Sequence, residues 1–162
     1  MGEEVAGLAA RAALAPQMGV ANRPVTVTLV RCLGLHWPRG QQRSRHVGSR
    51  PEIMWSYVHH DAMREIARRS YTYGTPCPAG RLHVIAFWCN AGEHRSVCAA
   101  ELLSGWLARR NKGHQVFHAC RQLWDRRSCG GCRECDPNVF SARREDARAR
   151  FAALMDTFGH AP

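Results

Sequence analysis

One short stretch, Cys89-Asn90-Ala91-Gly92-Glu93-His94-Arg95-Ser96, puts a thiol, a carboxylate, an imidazole, a guanidinium and a hydroxyl within a single turn of chain. A thiolate is a nucleophile. An arginine fork matches the oxygens of a phosphate. A serine at a helix start can cap the helix and donate its hydroxyl. Together these residue types suit an oxyanion, a phosphate or a phosphoester. A second group is Cys129-x2-Cys132-x2-Cys135, with Cys120 upstream. Three thiolates in a glycine-containing turn need a fourth ligand for a tetrahedral zinc site. Cys120 or His118 can supply it, and Cys120 is the expected ligand because His118 is wanted at the anion site. The expected metal ligands are therefore Cys120, Cys129, Cys132 and Cys135. Free or redox-active thiols are the alternative, and an iron–sulfur cluster fits the spacing less well.

The elements around the first group explain its aim. Leu82 to Trp88 is a run of strand-forming residues. Val97-Cys98-Ala99-Ala100-Glu101-Leu102-Leu103 then follows with helical spacing, running to about Arg110 with Gly113 as its stop. Strand, tight loop and helix start direct backbone N–H groups and the positive end of the helix at one point. Upstream, Pro24 to Leu33 alternates and reads as a first strand, and Pro51 to Ser70 reads as one helix beginning at a proline. His114 to His118 reads as a short third strand and Ser141 to Phe158 as a final amphipathic helix. This order implies an α/β fold, a small parallel sheet flanked by helices. The anion turn then lies beyond the strand ends, where such sheets bind ligands, with His118 ending the neighbouring strand. Residues 1–22 read as a loosely attached extension, 23–123 as the α/β domain, and 124–162 as a Cys-rich turn and helix packing on that domain.

Two families share the central motif. Cys89-x5-Arg95-Ser96 resembles the signature of cysteine-dependent phosphatases, which would make Cys89 the nucleophile and Arg95 the stabiliser of the transferring group. Cys89-Asn90-Ala91-Gly92-Glu93-His94-Arg95-Ser96-Val97, followed by Ala100-Glu101, resembles more closely the C-terminal domain of the RNase adapter protein RapZ family. That family reads Cys-Thr-Gly-Gly-x-His-Arg-Ser-Val before an Ala-Glu helix. Asn90 and Ala91 depart from its pattern, and His118 is the match for a histidine of its next strand. The resemblance implies a domain binding a phosphorylated amino sugar, glucosamine-6-phosphate in bacterial members, and contacting small RNA. The ligand-binding residues implied are Asn90, Ala91, Gly92, Glu93, His94, Arg95, Ser96 and His118. His94 immediately before Arg95, where phosphatases usually have glycine, favours a binding module over an enzyme.

Charge and cysteine usage narrow the partners. The 162 residues carry a formal net charge of +10, which favours anionic partners. A third expectation is a basic, zinc-containing nucleic-acid-binding domain, using Arg39, Arg43, Arg45 and Arg50 with Arg121, Arg126 and Arg127. No apolar run approaches the roughly 20 residues of a membrane span. Buried thiols at Cys89 and Cys98 and a metal-like cluster suit a reducing, cytoplasmic compartment. Residues 120–140 hold few core-forming side chains, so a metal is expected to order them. Chelation is then expected to loosen that segment and leave the Cys89 loop folded.

Overall fold

The computed structural model describes residues 25–36, 45–74, 81–90, 92–119, 121–124 and 128–159. Strand β1, Val25–Arg31, pairs in parallel with β2, Leu82–Trp88, in the register Val25↔Leu82 through Arg31↔Trp88. The crossover between them carries two helices, α1 (Pro51–Val58) and α2 (Ala62–Gly74). Helix α3, Arg95–Arg109, follows β2, and α4, Ala142–Gly159, closes the described chain. The fold is α/β with a Cys-rich region before its last helix.

Two local expectations change. The single helix expected over Pro51 to Ser70 is broken at His59, His60 and Asp61. The imidazoles compete for the backbone there: His60 Nδ1 accepts from Ala62 N at 3.1 Å, and His59 Nδ1 lies 2.8 Å from Trp55 O. The end of α3 is made not by Gly113 but by Asn111, which takes a left-handed φ of 52°. Lys112 N bonds Leu107 O at 3.0 Å and Asn111 N bonds Ala108 O at 3.0 Å. That is a Schellman ending.

The expected third strand, His114 to His118, is also absent: among the described residues the sheet has two strands. Residues 113–117 are exposed. His114 Nε2 instead lies 2.9 Å from Ser104 Oγ, and His118 Nε2 lies 3.0 Å from Glu101 Oε1. Side chains on α3 hold this segment where the sequence suggested a sheet neighbour.

The main core lies where α4 packs on α1, α2 and α3. Ala147, Phe151, Ala152 and Met155 of α4 meet Met54, Tyr57, Met63, Ile66, Leu102 and Trp106, with Val30 and Cys32 beneath. Burying such side chains contributes about 1.5–3 kcal/mol each. A second, smaller cluster holds Val47, Val97, Trp124 and Cys135. It joins the loop before α1, the first turns of α3 and the Cys-rich region. Among the described residues no helix is long and apolar enough to cross a membrane.

Candidate anion loop and metal centre

The loop at the carboxyl end of β2 turns at Gly92, whose φ of 64° suits glycine. It then enters α3, whose N-cap residue His94 makes no side-chain capping bond. The turn closes on itself: Cys89 Sγ lies 3.3 Å from Ser96 Oγ. Glu93, His94 and Ser96 are buried, Gly92, Cys89 and Arg95 half-buried, and Asn90 exposed; Ala91 lies outside the described residues. The thiol at the strand end thus faces the serine hydroxyl in the first turn of α3.

Two features of this turn were not legible in its motif. Arg95 Nη1 donates to Leu33 O at 3.2 Å and to Leu35 O at 3.3 Å, so one end of the guanidinium anchors the segment after β1. Glu93 is 5% exposed, with its Oε2 4.0 Å from His94 Nδ1. Cys32, beside Cys89 at the sheet end, has its thiol pushed up to about 12 by burial and then by the neighbouring Cys89 charge, against the pull of Arg95 and the Trp88 backbone. Complete burial also raises the Cys98 thiol. Both are inert core thiols.

His118 is not in this turn. It pairs with buried Glu101, and its ring centroid lies 5.2 Å from that of Trp124. It lines a cavity of about 480 Å³ with Phe117, Arg121 and Gln122. Its link to the loop runs through Trp124, whose Nε1 donates to Gly92 O at 3.4 Å.

The cysteine cluster gathers as its spacing suggests, and the fourth group is one that spacing did not identify. His46, Cys129, Cys132 and Cys135 have ligand atoms all within 4.8 Å of one another. Cys129 Sγ and Cys135 Sγ are 3.5 Å apart, and Cys132 Sγ and Cys135 Sγ 3.8 Å. His46 Nδ1 lies 3.4 Å from Cys132 Sγ and 3.5 Å from Cys135 Sγ. This cluster can hold a metal ion. Cys120, the expected fourth ligand, lies outside the described residues. His46 lies 86 residues before Cys132, so its sole sequence signal is a coordinating residue type among the arginines.

The turn that carries the thiols uses Gly130 and Gly131 at φ of 67° and 87°. This positive-φ pair points backbone N–H groups inward, an arrangement that favours bound anions. Burial raises the Cys129 thiol. Bonds from the N–H groups of Cys132 and Gly131, from the Cys135 thiol and from the Val47 N–H outweigh that and bring it to about 6. Burial and the adjacent Cys129 push Cys135 the other way, so Cys129 is the first of the pair to ionise. His46 Nε2, the ring nitrogen facing away from the thiols, is 3.9 Å from Glu134 Oε2. A carboxylate beside the outer nitrogen is what orients metal-binding histidines.

Of the arginines proposed to track a nucleic acid, Arg45 and Arg121 are exposed. Arg50 is paired, with Glu52 at 2.8 Å and Glu134 at 3.2 Å. Arg39, Arg43, Arg126 and Arg127 lie outside the described residues.

Comparison with family models, with curated proteins and with solved structures gives no match for this chain.

Proposed function

We propose that this chain is a binding module for a phosphorylated small molecule, of the kind the RapZ C-terminal resemblance implies, braced by a structural zinc ion. The observation that carries the reading is the closed turn: Cys89 Sγ comes within 3.3 Å of Ser96 Oγ at the start of α3. A phosphate in that turn would meet the first N–H groups of the helix and the serine hydroxyl. Arg95 has Nη1 committed to Leu33 O and Leu35 O. It would offer the phosphate Nε and Nη2. An amino-sugar phosphate is the ligand class that the family resemblance suggests.

The zinc reading rests on ligand chemistry and spacing. Zn–S bonds of about 2.3 Å and a Zn–N bond of about 2.0 Å in a tetrahedron put S···S edges at about 3.8 Å and S···N edges at about 3.5 Å. The corresponding separations here, 3.5 and 3.8 Å between sulfurs and 3.4 and 3.5 Å from His46 Nδ1, are close to those values. Three cysteines and one histidine with no open position make a structural rather than a catalytic site.

Calorimetric titration of inorganic phosphate and of hexosamine phosphates into wild type and Arg95→Ala tests the anion site. Each charge-assisted bond lost should cost roughly 1.5–3 kcal/mol, a fall in affinity of at least about tenfold. Arg95→Lys controls for the charge, and unchanged affinity in Arg95→Ala would sink the idea. Elemental analysis of protein purified under reducing conditions should find one zinc per chain. No metal, with freely titrating thiols at 129, 132 and 135, ends the zinc reading.

The Cys89–Ser96 contact also favours a second reading, a cysteine-dependent phosphatase, because a hydroxyl beside a nucleophilic thiolate stabilises it. Turnover of an aryl phosphate that is lost in Cys89→Ser would establish that reading. A module that only binds gives none.

A further inference from the structure

We infer that metal occupancy of the His46–Cys129–Cys132–Cys135 centre governs the shape of the Cys89–Ser96 loop, so that metal loss weakens the loop's hold on an anion. The inference rests on the proposed anion and zinc readings. Two backbone carbonyls of the loop, Gly92 O and Glu93 O, accept bonds from outside it, and both donors sit on segments that the metal ligands fasten. Gly48 N donates to Glu93 O at 2.8 Å. Gly48 is two residues from His46, and it meets the loop backbone to backbone: a Cβ there would lie 1.9 Å from His94 O and 2.7 Å from Cys98 N. On either side of Gly48 the chain is tied to the centre. Val47 is fully buried with Trp124, Val97 and Cys135, and Ser49 Oγ donates to Cys135 O at 2.5 Å. The second donor, Trp124 Nε1, bonds Gly92 O. Trp124 is tied to the cysteine turn by Ser128, whose N bonds Trp124 O at 2.7 Å, and by Gly131, where a Cβ would stand 3.8 Å from its ring.

Without a metal, what joins these arms among the described residues is the small cluster of Val47, Val97, Trp124 and Cys135, with Ser49 Oγ on Cys135 O and Arg144 bridging Ser49 O and Glu134 O. Losing the metal removes the bonds that join His46 to the three cysteines. The arms then separate, Gly92 O and Glu93 O lose their donors, and the turn over α3 loosens. The expectation that chelation spares the Cys89 loop is thereby reversed. Coupling of this kind is reciprocal: an anion in the loop tightens metal binding by the factor by which the metal tightens anion binding.

The test compares the zinc-loaded full chain with the same chain after chelation. The readout is the alkylation rate of Cys89, followed by peptide mapping, alongside titration with inorganic phosphate. Cys89 should react at least about fivefold faster without zinc, and phosphate affinity should fall by a similar factor. Two variants break the arms while keeping all four ligands. Gly48→Ala blocks the backbone contact, and Trp124→Phe keeps an aromatic ring and removes the indole donor. Both should still bind one zinc and show faster Cys89 alkylation with the metal in place. Cys32, 0% exposed, monitors the main core. If it too reacts on chelation, the zinc-loaded variants decide. Equal Cys89 rates in zinc-loaded, chelated and variant proteins overturn the coupling. So does phosphate binding equally tightly with and without zinc, which leaves the anion reading standing. Faster Cys89 alkylation in a protein that never binds phosphate supports the metal's control of the loop and refutes the anion reading.

Discussion

Replacing Arg144 by methionine tests whether the join between the cysteine turn, the loop before α1 and helix α4 is held by one buried cation. Arg144 is 1% exposed. Its Nε and Nη2 donate to Ser49 O at 3.3 and 3.2 Å, Nη2 also to Glu134 O at 2.9 Å, and Nη1 to Val139 O. Burial, then the nearby Arg148, lowers its pKa, but a guanidinium stays charged in proteins. Methionine fills much of the same stem volume and leaves three carbonyls without those donors. Bonds from a charged donor contribute roughly 1.5–3 kcal/mol each. The cost of holding the guanidinium out of water, several kcal/mol, is recovered on its removal. The net loss should be about 3–5 kcal/mol, the range seen when one partner of a buried charged interaction is deleted. For a chain of this length that lowers Tm by about 6–20 °C. Urea denaturation and calorimetry of the zinc-loaded protein provide the measurement. Arg144→Lys, with one ammonium that cannot span both segments, should fall between the two. A loss below about 1 kcal/mol in Arg144→Met would refute the reasoning, because it would mean the carbonyls are satisfied equally well without the side chain.

Asn111 sits at a φ of 52°, so Asn111→Gly should stabilise the protein by up to about 1 kcal/mol and Asn111→Val destabilise it by about 1–2 kcal/mol, read from denaturation midpoints. Glu65, bonded to Arg68 and Arg69, has its carboxyl lowered to about 2, so its contribution is present above the ordinary carboxylate pKa and lost as pH falls through about 2. The stability gap between wild type and Glu65→Gln should therefore be constant above about pH 5 and shrink toward pH 2, and it should stay under about 1 kcal/mol because the pair is exposed. Gly105 faces the flexible stem of Arg148, with a Cβ contact of 2.9 Å, so Gly105→Ala should change stability by less than about 1 kcal/mol as helix propensity offsets the crowding. A larger loss would mean that Arg148 cannot move aside.

What the sequence by itself determined was local. The run from Leu82 to Trp88 forms a strand, a helix follows the turn after it, though it starts at Arg95 with His94 as N-cap where the motif suggested a Ser96 cap, and the stripe carried by Ala147, Phe151 and Met155 packs into the core, because period and composition act over a few residues. The three thiols meet because two-residue spacings with glycines at positive φ bring them together within one turn. Only the tertiary structure decided the rest. His46 joins Cys132 across 86 residues of sequence, and no local pattern records a closure of that length. The segment from His114 to His118 has strand-like composition, but pairing needs a free neighbouring edge at the right distance, and here Ser104 and Glu101 on α3 hold its histidines instead. In the sequence Arg144 looks like a solvent-facing charge, and Arg95 like a fork given wholly to an anion. Their bonds to Leu33 O, Leu35 O and Ser49 O join segments distant in sequence, and buried carbonyls at such junctions are satisfied by a long donor-rich side chain.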